Sequence, residues 1–159
     1  MTQASRRGFI AGSLAVVALA ILPAACQTDP DPSANAAIAS GSGSIEDIRA
    51  AAGLRPLTRD PRLERAAIRQ AGYMARAGRM THSTGPGRGF AARVRQEGIA
   101  GAAAENLAHG RMDTGRVFGM WMRSPGHRRN MLNPRFSRYG LAHADAPGGG
   151  RFWALVLAD

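Results

Sequence analysis

The chain has 159 residues, a formal charge of +10, 45% hydrophobic residues and one cysteine. That is enough for one domain with its own core, and a lone thiol excludes a disulfide framework. All 21 basic residues are arginine, which in a chain rich in Ala and Gly reads as GC-rich codon bias. The net positive charge favours anionic partners such as lipid headgroups, acidic wall polymers or nucleic acid, the last of these least, since there is no basic helix interleaved with stacking aromatics and no zinc finger.

Residues 1–25 read as an export signal. Arg6-Arg7 precedes the apolar run 11–22, a twin-arginine pattern, and that run is too short to span a bilayer comfortably before Pro23. Cys26 follows Leu22-Pro23-Ala24-Ala25, which resembles a lipobox whose cysteine becomes an acylated N-terminus, although Pro23 stands where an aliphatic residue is usual. With Gln27 next to it, an acylated Cys26 points to the periplasmic face of an outer membrane; release into the periplasm or beyond is the alternative. Residues 26–43 hold two Asp-Pro pairs, a Gly-Ser end and no aromatic, so they cannot bury a core face and read as a flexible tether.

The domain spans 44–159. Ser44 with Asp47 three residues on predicts a capping box, and Gly53 closes that short helix. Asp60-Pro61 predicts a helix over 61–77, with an apolar stripe from Leu63 to Met74 and Gly78 as its stop. His82 then lies in a Gly-rich loop. A third helix is expected over 90–97, and a strand or turn carrying Glu105 and Asn106 over 103–108. Asp113 caps a fourth helix, with Trp121 and Phe118 as core, and Ser124-Pro125 starts a short fifth. Alternation from Tyr139 to His143, a Pro-Gly-Gly-Gly turn and the apolar run 152–157 predict a hairpin. Helices first and sheet last give an α+β layered domain.

Leu54-Arg55-Pro56-Leu57, Thr81-His82-Ser83, Glu105-Asn106-Leu107-Ala108, the run 121–132 and Arg138-Tyr139-Gly140-Leu141, in this order and spacing, give the chain a resemblance to the CAP superfamily, named for cysteine-rich secretory proteins, antigen 5 and pathogenesis-related 1, in its bacterial secreted branch. It implies an α-β-α sandwich with a mainly antiparallel sheet between helices, and a cleft lined by two histidines and two acids. The histidines fall on His82 and His127 and the first acid on Glu105; the second acid falls on Ser124, so three of four groups carry over.

Two neutral imidazoles, His82 and His127, can ligate Zn²⁺ or another divalent cation, and Glu105 can join them or take a proton from a bound water. Two His and one Glu make a site of modest affinity. The competing structural roles are a His pair bracing loops and a Glu105 carboxylate holding backbone N–H groups. Ser124 is expected to cap a helix rather than act as a nucleophile, and Asn106 to pin the Glu105 segment. Arg123, Arg128 and Arg129 read as a solvated face able to guide an anionic group toward His127. Three functions stay open: an exported, lipid-anchored module binding a lipid or cell-envelope ligand; a metal-assisted or Glu/His acid–base hydrolase; and a periplasmic interaction domain.

Overall fold

A computed structural model describes residues 34–36 and 43–159. The expected export signal and Cys26 lie outside the described residues. The elements in order are β1 (Ala34–Ala36), α1 (Ile45–Ala51), β2 (Thr58–Arg59), α2 (Pro61–Ala77), α3 (Phe90–Gln96), β3 (Ala103–Gly110), α4 (Thr114–Arg123), α5 (Pro125–Met131), β4 (Arg138–Asp145) and β5 (Arg151–Ala158). The stretch read as a tether thus contributes a three-residue strand, β1, which pairs antiparallel with β4.

Local chemistry sets the helix ends. The Ser44 hydroxyl accepts from Asp47 N–H at 3.1 Å while the Asp47 carboxylate reaches back to Ser44 N–H, a reciprocal capping box. Asp60 Oδ1 accepts from Arg62 N–H at 2.7 Å at the head of α2, and Gly78, in the left-handed region at φ 60°, closes it. Asp113 caps α4 through Arg116 N–H at 2.8 Å.

The sheet runs β1-β4-β5-β3, antiparallel along that path, with β2 added in parallel to β4. Helices cover both faces. Because side chains alternate along a strand, β5 sends Phe152, Ala154 and Val156 to the α2 side and Trp153, Leu155 and Leu157 to the α1, α4 and α5 side. This is the expected α-β-α sandwich. On the first side α2 buries Leu63, Ala66, Ala67, Ala71 and Met74, mostly small residues that let the helix lie close to the strands. The closeness shows at Gly140 of β4, where a Cβ would overlap the Glu64 backbone nitrogen.

Two arginines depart from the solvated role usual for the residue. Arg49 is 1% exposed and donates to the carbonyls of Arg55, Met131, Asn133 and Phe136, lashing α1 to the chain that follows α5. Burial, and then the charge of Arg55, hold its pKa below the ordinary guanidinium value. Arg93 is the other, and it belongs to the site.

Candidate functional site

Strand β3 is the outer strand on its side, pairing only with β5 among the described residues. The expected strand or turn is a full strand reaching Gly110, and its alternation sends Glu105 and Asn106 to opposite faces. Glu105 faces the layer of α2 and α3. Its Oε1 meets His82 Nδ1 at 2.8 Å and its Oε2 accepts from Arg93 Nη2 at 2.5 Å. The Glu105 and Arg93 side chains are 1% and 0% exposed, whereas that of His82 is 61% exposed. The cluster therefore grades from a dry ion pair outward to a wet imidazole.

The loop carrying His82 is fixed from below. Arg93 Nη1 donates to the Arg88 carbonyl at 2.6 Å and to the His82 carbonyl at 3.3 Å, and Gln70, buried on α2, donates through Nε2 to the Thr81 carbonyl. One guanidinium thus neutralises Glu105 and holds both ends of the loop, a task suited to its planar fork of donors.

Asn106 faces the α4–α5 layer and is fully buried. Its Nδ2 donates to the His127 carbonyl at 3.0 Å, and its Oδ1 accepts from Asn130 Nδ2 at 2.8 Å. It pins α5 rather than the segment around Glu105, a correction that follows from the alternation of the strand. Beside it, Trp121 Nε1 donates to the Leu107 carbonyl at 2.9 Å. The His127 ring lies 6.5 Å from that of Trp121, centroid to centroid, and is half-buried. So His82 and His127 flank β3 from opposite layers. Of the two, His82 is the one bonded to Glu105; His127 feels the charge of His82.

The two imidazoles are tuned apart. The hydrogen bond to Glu105 raises the His82 pKa above the usual value, outweighing burial and Arg93. Burial lowers that of His127, and the charge of His82 lowers it further. Between the two values His82 is an imidazolium and His127 a neutral ring. His82 adds stability fully below an ordinary imidazole value of about 6.5 and loses it as pH rises through its raised pKa; His127 adds its share above about 6.5 and loses it as pH falls through its depressed pKa. In a histidine-resolved NMR titration His82 is expected to titrate above about 6.5 and His127 below it, and the reverse order would refute this tuning.

The cysteine-rich secretory protein family, CAP, matches residues 43–157. The chain belongs to this family. Among curated proteins it is 39% identical over 51 residues to the uncharacterized protein YkwD of Bacillus subtilis, a stretch covering 32% of this chain and 19% of that protein. The chain therefore spans about a fifth of that relative's length. Among solved structures it is similar to an outer surface protein from Borrelia burgdorferi, with a TM-score of 0.66 at 22% identity over 72% of this chain and 86% of the other. An extracellular protein containing a SCP domain from Bacillus anthracis gives 0.62 at 23% identity, over 72% of this chain and 37% of that one. A cysteine-rich secretory protein from Staphylococcus aureus gives 0.57 at 18%, over 72% and 35%. At these identities the structural likenesses speak for the fold.

Of the three residues that the resemblance assigns to a cleft, His82 and Glu105 are in contact, and His127 sits on α5, whose backbone Asn106 holds from the other face of β3. Ser124, where the second acid falls, begins α5 with its backbone alone: its carbonyl accepts from Arg128 N–H at 2.9 Å, but its hydroxyl makes no cap bond. It occupies the expected cap position without the expected side-chain bond. His109 is exposed and stacks on Phe152 at 4.2 Å, and half-buried His143 packs against Trp153 at 4.8 Å. Trp121 and Phe118 are core, as expected, while Met120 and Met122 are half-buried at its margin. The residue the sequence did not announce is Arg93. Its signal is its position between Phe90 and Val94 on the inward face of α3, where a charge needs a partner.

Proposed function

We propose that this CAP-domain protein is exported and held at the cell envelope by an acylated Cys26, and that its cleft of His82, Glu105 and His127 binds a lipid or cell-envelope ligand rather than hydrolysing one. One observation carries the choice: both oxygens of Glu105 are engaged, one by Arg93 and one by His82. A general base needs a carboxylate lone pair within reach of water, and Ser124 supplies no second acid. What His82 and His127 offer a ligand is two ring nitrogens of different protonation state. The neighbours described as extracellular or outer-surface proteins support export.

A divalent ion at this site would draw on His82 Nε2 and a ring nitrogen of His127, and would have to displace the proton that Glu105 favours on His82. Glu105, bonded to the other nitrogen of His82, would then fix its tautomer from behind, as carboxylates do for metal-binding histidines. Such an ion would supply a Lewis-acid anchor for a phosphate or carboxylate of the ligand, and two nitrogens make its affinity modest.

Organic extraction of protein purified from the envelope, followed by mass spectrometry, is expected to release one dominant species, depleted in the His82→Ala/His127→Ala variant. Equal yields from the two proteins would remove the cleft as the binding site.

A further inference from the structure

The arginines are distributed unevenly in their pairing. On the α2–α3 layer Arg59 meets Glu64 at 3.2 Å, and Arg65 and Arg69 meet Glu97 at 2.8 and 3.1 Å. On α4 none of the ion pairs among the described residues includes Arg116 or Arg123. These two, with Arg111, stand around a groove of about 550 Å³ that no carboxylate lines. Gly115 and Gly119, one helical turn apart, form its floor, and half-buried Met112 and Met120 its apolar walls. Asp113, the acid at the head of α4, is occupied in capping the helix.

Gly43, on the way back toward Cys26, lies beside this groove. Gly43 lies against α4 so closely that a Cβ on it would be 3.5 Å from Gly115 Cα. Ala34 pairs with Ala144 beside the β4–β5 turn, and Arg111 Nη2 donates to the Gly148 carbonyl within that turn at 3.2 Å. Only residues 27–33 separate Cys26 from β1, and at full extension they reach about 25 Å.

We infer that the Arg111–Arg116–Arg123 groove of α4 is a docking face for an anionic bilayer, its guanidiniums on lipid phosphates and its methionine walls against the acyl boundary. The inference rests on the reading of Cys26 as the anchor, which sets the short leash. A leash of that length keeps this end of the domain near the surface, where arginine attraction acts within about 10 Å at moderate salt. Three cations without a carboxylate partner among the described residues, with apolar walls between them, match a phosphate layer over hydrocarbon better than a soluble polyanion, which has no use for the walls.

The test takes the processed chain from residue 26 carrying Cys26→Ser, so that no acyl group contributes. It is floated with vesicles of phosphatidylcholine alone or mixed equally with phosphatidylglycerol. Binding is expected only to the mixed vesicles and is expected to weaken with salt. An Arg111→Gln/Arg116→Gln/Arg123→Gln variant should lose on the order of a hundredfold, about fivefold per arginine near an anionic surface. Arg76→Gln/Arg79→Gln/Arg95→Gln, an equal charge change on exposed residues of the α2–α3 layer, should lose only a few-fold. Thermal melts check that both variants fold. Equal losses in the two variants, equal binding to neutral vesicles, or equally tight capture by soluble polyphosphate would each overturn the docking face. None of these results bears on the anchor, which membrane fractionation of cells producing Cys26→Ser tests by itself.

Discussion

Arg93→Ala is expected to lower the unfolding free energy by about 3–5 kcal/mol, a large part of the stability of a domain this size. The Arg93–Glu105 pair is dry on both sides, so removing the cation leaves a carboxylate buried with only an exposed imidazole beside it. The pair as a whole need not stabilise the fold, since two charges taken out of water cost about what their attraction returns. Breaking one half is what costs. Hence Arg93→Met combined with Glu105→Leu should recover most of the loss. Arg93→Lys should recover part, because an ammonium can neutralise Glu105 but cannot also span the carbonyls of His82 and Arg88. Urea denaturation of the wild type and these three variants measures the differences; a cost for Arg93→Ala below about 1 kcal/mol, the scale of an exposed pair, would mean that the pair is wetter than the structure has it. The same variant should open the 81–89 loop to proteolysis before the rest of the domain unfolds, since both of its carbonyl tethers from Arg93 are gone.

Gly140→Ala should cost about 3 kcal/mol or more through overpacking, with no polar group involved. The added methyl would overlap the backbone of α2 at Glu64 N and Leu63 C, and backbone cannot swing aside as a side-chain end can. Helix α2 would have to lift from β4, loosening Leu63, Ala66 and Ala67 together. The same substitution at Gly119, inside α4, meets only the end of Arg123 at 3.6 Å and should stabilise by roughly 0.5–1 kcal/mol, because alanine gives up less freedom in a helix than glycine. Opposite signs for one chemical change at two glycines would be read directly from the two melting temperatures. Loss at both positions would mean that α4 has no room on that face.

How much of this was legible depends on whether the deciding contact is local. Asp60-Pro61 and Gly78 bracket α2, and Ser44 with Asp47 starts α1, because caps are made within three residues of the chain. His82 and Glu105 could be named as site residues from their motifs, but their partner could not. Arg93 lies on a seven-residue helix among Arg95 and Gln96, and nothing nearby in sequence distinguishes an arginine turned inward from one turned to water. Ser124 held the anticipated position and lacked the anticipated bond, since a cap residue's backbone and side chain are set by different contacts. Asn106 was expected to act on its own segment; the parity of β3 decides that it acts on α5 instead. Strand β1, Ala-Asn-Ala, carries no β-branched or aromatic residue, and only the open edge of β4 calls it into the sheet.

The order of the strands has a kinetic consequence. The final strand in sequence, β5, is inserted between β4 and β3, and from Phe152 to Ala158 it is buried throughout. Until it is synthesised, β3 has no neighbour, and neither layer of helices has a continuous sheet to rest on. Closure of β3 on β5 joins residues some fifty positions apart, a non-local step that sets the pace of folding for a sheet of this kind. A nascent or prematurely stopped chain lacking these residues would expose two unpaired edges and both apolar helix faces, the features by which incomplete chains aggregate or are recognised for removal. The contacts that Glu105 makes from β3 to His82 and Arg93 are therefore expected to form late in folding, once β5 has joined β3 to the sheet.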